Sequence, residues 1–310
     1  MFTESLITTP ELMISTTLPN KAISTDQAFD PKVIDHFHAS ARLYRSWSRE
    51  GHLHFGYWRW PLAPWDRQAM LDELVHQVVK PLDPVVGARF ADLGCGYGAS
   101  ARLVARTYQL HVDAFTIVPE QVRDGNAEAR RTGCDDLVTM HLRNMRNTGL
   151  PDASLDGVYA LESWCYGQGH DKEDMIGEAA RILRPGGRLS LMDGFIMKEP
   201  GAVRGRMLKI VEDGWAVPCF PRLKAFTAAL ERQGFHDIAV EDLSMRIAIC
   251  AVHGPLLMLT TIFEQKCSGK KLDHLEWAHL RSCMLGILMG TQYDLFRYLK
   301  ITATKPCETP

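Results

Sequence analysis

Hydrophobic residues recur at helical spacing over residues 31–48, and again where Met70, Leu71, Leu74, Val75 and Val78 fall on one face. Both patterns predict amphipathic helices. Between them lies an aromatic run, His52-Leu53-His54-Phe55-Gly56-Tyr57-Trp58, followed by Trp60 and Trp65. From residue 89 the period changes. Short apolar runs over 89–93, 110–116, 138–142, 156–161 and 188–192 read as buried strands, and helical spacing over 98–107, 120–131 and 172–183 separates them. Pro185-Gly186-Gly187 is a stop signal for the last of these helices. Strand and helix in alternation predict a mainly parallel sheet covered by helices. The last third breaks that rhythm: 197–233 reads as helical, 236–240 as a strand, 253–294 as helices and 296–304 as a closing strand.

This pattern divides the 310 residues into a Thr/Ser-rich flexible arm over 1–30, a helical and aromatic lid over 31–80, an α/β core over 81–195 and substrate-cap helices with the closing strands over 196–310. The net charge of −2, without a dense Lys/Arg stripe, argues against nucleic acid as a partner. The longest apolar runs fall well short of the roughly 18 residues a membrane span needs. The N-terminal stretch carries Glu4 and lacks the basic start of a secretory signal. Eight cysteines without a Cys-x-x-Cys pair read as reduced thiols in a cytoplasmic protein without structural zinc. A homo-oligomer is compatible with the sequence.

Candidate chemistry starts at Asp92-Leu93-Gly94-Cys95-Gly96-Tyr97-Gly98, directly after a predicted strand. Glycines there let the chain turn tightly and approach a ligand without a Cβ in the way. Dinucleotide sites use Gly-x-Gly-x-x-Gly; here the third glycine comes one residue early, and Ser100 occupies the position that would close the longer spacing. Asp92 at the strand end would repel a pyrophosphate but suits a cationic cofactor bearing an amino acid.

With Leu150-Pro151-Asp152-Ala153-Ser154-Leu155-Asp156 and Arg181-Ile182-Leu183-Arg184-Pro185-Gly186-Gly187 following in order, the chain resembles class I S-adenosylmethionine-dependent methyltransferases. The resemblance implies an α/β fold with a Rossmann-like, seven-stranded, mainly parallel sheet and helices on both faces. To this core it adds an N-terminal helical lid and a C-terminal helical insertion. It also implies S-adenosyl-L-methionine as cofactor, held by Tyr44, Asp92, Gly94, Cys95, Gly96, Thr116, Gln121, Asn144, Met145 and Leu161. Two positions depart from the family pattern. Thr116 stands where an acid usually grips the ribose, with Asp113 the nearest acid inside the strand, and Asn144 replaces the usual acid near the adenine.

Thr116-Ile117-Val118-Pro119-Glu120-Gln121 and His54-Phe55-Gly56-Tyr57-Trp58 resemble the tocopherol methyltransferase-like branch, as do Gly214-Trp215-Ala216-Val217-Pro218 and Ile301-Thr302-Ala303-Thr304. Glu162-Ser163-Trp164-Cys165-Tyr166 is similar to geranyl diphosphate C-methyltransferases, which implies Glu162 as base and Tyr166 beside it as catalytic residues. On this resemblance the expected reaction is C-methylation of an isoprenoid, a geranyl or farnesyl diphosphate, through a carbocation that a carboxylate deprotonates and that is able to cyclise first. Such a cation needs aromatic walls, for which Tyr57, Trp58, Trp164, Trp215 and Phe220 are candidates, with Arg45 and Arg204 candidates for the diphosphate. No metal-ligand spacing is visible, so Mg²⁺ would arrive with the diphosphate. N- or O-methylation of another small natural product, and a cofactor-binding partner without turnover, remain open.

Overall fold

The computed structural model describes residues 30–268 and 272–307, so most of the expected N-terminal arm lies outside the described residues. Its elements are α1 (Pro31–Trp47), α2 (Arg67–Val79), β1 (Arg89–Leu93), α3 (Ala99–Tyr108), β2 (His111–Thr116), α4 (Pro119–Arg131), β3 (Val138–Leu142) and β4 (Leu155–Leu161). There follow α5 (Glu173–Ile182), β5 (Leu183–Ile196), α6 (Ala202–Gly214), α7 (Leu223–Arg232), β6 (His236–Asp242), α8 (Ser244–Ala251), α9 (His253–Ser268), α10 (His274–Gly290) and β7 (Phe296–Thr304). The strands form one seven-stranded sheet in the order β3-β2-β1-β4-β5-β7-β6. Strands β1 to β5 pair in parallel, and β7 runs antiparallel between β5 and β6. This is the mainly parallel sheet expected from the alternation, in the seven-stranded Rossmann-like arrangement that the resemblance implies.

Local chemistry sets several boundaries. Asp30 caps α1 by accepting from Lys32 N (2.9 Å), with Pro31 at the first helical position, and Asp66 caps α2 by accepting from Ala69 N (3.0 Å). One apolar layer joins α2 and α3 to the sheet through Leu74, Val75, Val78 and Val104. The other joins α5 and α7 to it through Met175, Ile176, Phe226 and Leu230. The strands are apolar on both faces because helices cover both. A third cluster, with Leu208, Val211 and Met289, packs α6 against α10 above the strand ends.

The differences from the pattern reading lie after residue 182. The expected helix over 197–233 is two helices, α6 and α7, separated by an irregular stretch with Pro218 and Pro221, each lacking a backbone donor. The apolar run over 247–252 belongs to α8, which sequence reading left unassigned. Helix α5 stops at Ile182, just ahead of Pro185-Gly186-Gly187 as expected, but β5 begins already at Leu183, so these three residues lie at its irregular start. Among the described residues no helix is long and apolar enough to cross a membrane.

Candidate active site

The carboxyl ends of β1, β2 and β4, the loop after β3, and the cap helices enclose a cavity of about 500 Å³. At one end the glycine loop forms its floor. Gly94 has φ +92°, and a Cβ there would stand 2.2 Å from Ser163 Cβ, so the close approach of the β1 and β4 ends requires glycine. Asp92 is buried, and its Oδ2 has no hydrogen-bond partner. Burial pushes its pKa up to about 7, against the opposing effect of the neighbouring Tyr159 hydroxyl. An isolated carboxylate in such a place is costly unless a cation or donor meets it.

Thr116 ends β2 and donates through Oγ1 to Gln121 Oε1 (2.6 Å), while Val118 N donates to Thr116 Oγ1 (3.2 Å). Gln121 Nε2 is buried and unpartnered. Asn144, Met145 and Leu161 complete this end, Asn144 Oδ1 accepting from Arg146 N (3.1 Å). Asp113 does not contribute: it is tied to Arg89 (2.9 Å) and His141 (2.8 Å). A glycine cradle, a buried carboxylate oxygen and a buried amide nitrogen awaiting partners fit S-adenosylmethionine with its cationic amino-acid portion and its polar nucleoside. All ten residues expected to hold it line the cavity, with Tyr44 packed toward the other, aromatic end.

Glu162 stands at the junction with the other end. It leaves β4 with φ +49°, a left-handed conformation costly for a side chain bearing a Cβ, held by Glu162 N donating to Met192 O (2.8 Å). Its Oε1 accepts from Phe55 N (2.8 Å) and from Tyr298 Oη (2.8 Å). No donor among the described residues reaches Oε2. Burial raises its pKa to about 8, against the opposing effect of those two hydrogen bonds. A second carboxylate borders the cavity: Asp193, at the end of the β5 core, accepts from Cys165 N (2.9 Å) and Gly194 N (2.8 Å), and burial lifts it to about 6. His54 is buried: its Nδ1 bonds Phe55 O (2.6 Å), steadying the same peptide segment that holds Glu162.

The acceptor end is aromatic. Tyr44, Phe37 and Tyr166 form a chain with ring centroids 5.9 and 5.6 Å apart, and Trp215, Phe220 and Phe296 form another at 6.5 and 5.1 Å. Gly286 of α10 admits the Trp215 ring, which a Cβ would meet at 2.6 Å. Five expected site residues lie elsewhere. Trp164 points inward from the turn after β4 and packs 5.8 Å from Phe226 in the core, because each residue of this tight 3₁₀ turn is rotated by about a third of a circle and Cys165 and Tyr166 take the cavity side. Tyr57 is core-packed with the Arg246 guanidinium 5.7 Å from its ring. Trp58 donates through Nε1 to Leu62 O (3.0 Å) within its own loop. Arg45 is exposed, and Arg204 pairs with Asp294 (2.8 Å) at the surface.

Sequence reading missed Asp193, Tyr298, Phe37 and the α10 residues His279 and Cys283. Period-2 alternation in 296–304 marks Leu299, Ile301 and Ala303 as the apolar face and sets Tyr298 on the other with Lys300 and Thr302, so nothing local marks any of these residues. Among the described residues the only Arg or Lys side chains lining the cavity are Arg143 and Arg146, both in the loop after β3 at the donor end. No group of three or more His, Cys, Asp or Glu able to hold a metal ion occurs among the described residues.

Residues 91–191 match the family model described as a methyltransferase domain. The 27-O-demethylrifamycin SV methyltransferase of Amycolatopsis mediterranei is 32% identical over 196 residues, 62% of this chain and 69% of its own length. The cyclopropane synthase MmaA2 of Mycobacterium tuberculosis superposes with a TM-score of 0.79 at 15% identity, over 90% of this chain and 99% of that one. The geranyl diphosphate C-methyltransferase of Streptomyces coelicolor A3(2), solved with Mg²⁺, geranyl diphosphate and S-adenosyl-L-homocysteine, superposes with a TM-score of 0.63 at 17% identity, over 86% and 97%. Fold, glycine loop and sequence similarity agree: the chain belongs to the S-adenosylmethionine-dependent methyltransferases.

Proposed function

We propose that the protein O-methylates an uncharged, largely apolar natural product, with Glu162 removing the hydroxyl proton. The carrying observation is the position of Glu162: its Oε1 is engaged by Phe55 and Tyr298, its Oε2 is free of donors among the described residues, and it separates a polar donor end from an aromatic acceptor end. S-adenosylmethionine, when bound, supplies an electrophilic methyl group on a sulfonium. The chain's own part is to hold that cofactor through Asp92, Gly94, Thr116, Gln121 and Asn144, to seat the acceptor among Phe37, Tyr166, Trp215 and Phe220, and to take a proton on Glu162. A positive charge beside Glu162 lowers its pKa and readies the carboxylate. The relative acting on 27-O-demethylrifamycin SV supports an oxygen acceptor.

A second reading, C-methylation of an isoprenoid, is favoured by the aromatic faces around Glu162, which suit a carbocation. In that reading Glu162 removes the proton from carbon. A diphosphate fits less well, because the acceptor end offers no lysine or arginine among the described residues. Incubation with methyl-labelled cofactor decides between them. Hydroxylated polyketides and terpenoids are compared with geranyl and farnesyl diphosphate, each with and without Mg²⁺. Label in methoxyl groups is the expected result. Label on carbon of a prenyl diphosphate, only with Mg²⁺, would overturn the oxygen reading.

A further inference from the structure

On the cap side, α10 brings a polar group to a wall that is otherwise apolar. His279 is buried and lines the cavity. Its Nε2 lies 3.5 Å from Cys283 Sγ one turn further on, whereas its Nδ1 has no hydrogen-bond partner. From α1, His36 places its ring 5.2 Å from that of His279, and His36 Nε2 is likewise buried without a partner. Tyr44 closes the group, its ring 5.3 Å from His279. An unmade hydrogen bond on a buried nitrogen costs about 1–3 kcal/mol, and native proteins leave few of them. His36 packs behind the cavity wall and His279 lines it, so the unpartnered Nδ1 of His279 marks a place completed by something else.

The chemistry of that partner follows from the rings. Burial holds His36 at a pKa of about 3 and His279 at about 4, so both are neutral near pH 7. A neutral imidazole offers one donor and one lone pair and no charge. It therefore suits a hydroxyl or carbonyl oxygen and gives a carboxylate or diphosphate no counter-charge. We propose that His279 Nδ1 is a recognition contact for a hydroxyl or carbonyl oxygen of the methyl acceptor, distinct from the atom methylated beside Glu162. This deepens the reading of a neutral acceptor and rests on it: the acceptor carries two oxygen functions on an apolar skeleton.

The test uses the full-length protein saturated with S-adenosylhomocysteine and two probes of one skeleton, 8-hydroxygeraniol with a hydroxyl at each end and geraniol with one. Calorimetry gives the ratio of their affinities, and ¹⁵N-imidazole spectra report His279 directly. The expected result is a His279 resonance that moves with the diol and not with geraniol, and an affinity ratio that falls about tenfold in His279→Leu. Glu162→Gln keeps the ratio. If His279→Leu loses S-adenosylhomocysteine affinity through misfolding, His279→Gln, which keeps hydrogen-bonding capacity, carries the comparison and retains part of the ratio. A ratio unchanged in His279→Leu, with a silent resonance, overturns the proposal and leaves Nδ1 to water. A ratio lost in Glu162→Gln but kept in His279→Leu seats the second hydroxyl at Glu162 and overturns it too, as does equal affinity for the diol and geraniol. Discrimination through His279 without methyl transfer to any hydroxylated acceptor would sink the functional reading alone.

Discussion

In the donor half of the cavity, each group sits at or just after the carboxyl end of a parallel strand: Asp92 and Gly94 at β1, Thr116 at β2, Asn144 after β3, Glu162 at β4. In the acceptor half, the groups come from α1, the stretch between α6 and α7, α10 and β7, which supply Phe37, Trp215, His279 and Tyr298. The first set is positioned by backbone hydrogen bonds of one sheet, with register fixed from Phe90 against Gly157 to Leu161 against Met192. Apart from Tyr298, which β7 holds opposite Gly194 in the sheet, the second is positioned by side-chain packing between helices that belong to no common ladder. Backbone registers tolerate little change, whereas helix contacts repack. The donor half is therefore the part that fails outright when touched, and the acceptor half is the part in which specificity is written.

The largest effect is expected from Gly94→Ala. The new Cβ would collide with Ser163 Cβ at 2.2 Å in a φ +92° conformation, and Ser163 is anchored by Oγ donating to Leu93 O (2.5 Å). Strain and collision together cost a few kcal/mol. S-adenosylhomocysteine affinity should drop by ~100-fold or more, with circular dichroism reporting retained fold. Near-normal affinity would mean that the loop is pliable and the contrast between the halves is wrong.

Glu162→Gln comes next and tests the junction. Turnover should fall by roughly 10² to 10⁴, the usual contribution of a positioned proton acceptor, while cofactor affinity changes little. In the free protein the carboxyl at about 8 must ionise before it takes a proton, so kcat/KM for the cofactor should rise with pH up to that value. At saturating cofactor the neighbouring cation shifts the rise in kcat to lower pH. A variant retaining turnover with an unchanged pH profile would move the base elsewhere, with Asp193 the nearest alternative carboxylate.

Much of the donor half was legible in the sequence because its geometry is local. A strand, an acid, three glycines and a helix within 89–108 imply one turn, and the structure places Gly94, Gly96 and Gly98 all at positive φ. The acceptor half was legible only where a motif reached it. Glu162 and Tyr166 were read from five consecutive residues, yet Trp164 between them turns into the core, a distinction composition cannot carry. His279 and Phe37 are 242 positions apart and meet the same cavity only because α1 and α10 pack together; no period in either helix announces it. The segment over 197–233 misled because its helical spacing continues across Pro218 and Pro221, and the break between α6 and α7 is what frees Trp215 and Phe220 to face the cavity.

A smaller effect separates the halves through stability. Glu162, Asp92 and Asp193 have folded-state pKa values raised to about 8, 7 and 6, so the stability they confer as neutral acids is present at low pH and lost as pH rises through those values. The buried His36, His54 and His279 are lowered to about 3, 3 and 4, so their contribution is lost as pH falls from 6.5 toward those values. Below pH 6.5 the two sets oppose one another. From pH 6.5 to 8 the acids prevail, and the cofactor-free protein should lose about 1 kcal/mol, or roughly 2–4 °C in Tm. Glu162→Gln should make this interval nearly flat. A cofactor-free Tm that climbs across it would show Glu162 ionised already, with the enclosure of the junction overstated.

The smallest effect is expected where sequence reading placed diphosphate contacts. Arg204 is committed to Asp294 at the surface, together with Lys198, and Arg45 is exposed; neither lines the cavity. Exposed ion pairs contribute little, so Arg204→Ala and Arg45→Ala should change KM and kcat for the acceptor by less than about twofold. The pair of variants is nevertheless the sharpest probe of where the acceptor half ends. A tenfold rise in KM, sensitive to ionic strength and to Mg²⁺, would mean that the acceptor extends past α6 and carries negative charge, because screening acts on exposed charge pairs and barely on a buried imidazole. An unchanged KM beside a raised KM in His279→Leu would confine recognition to the neutral wall between α1 and α10.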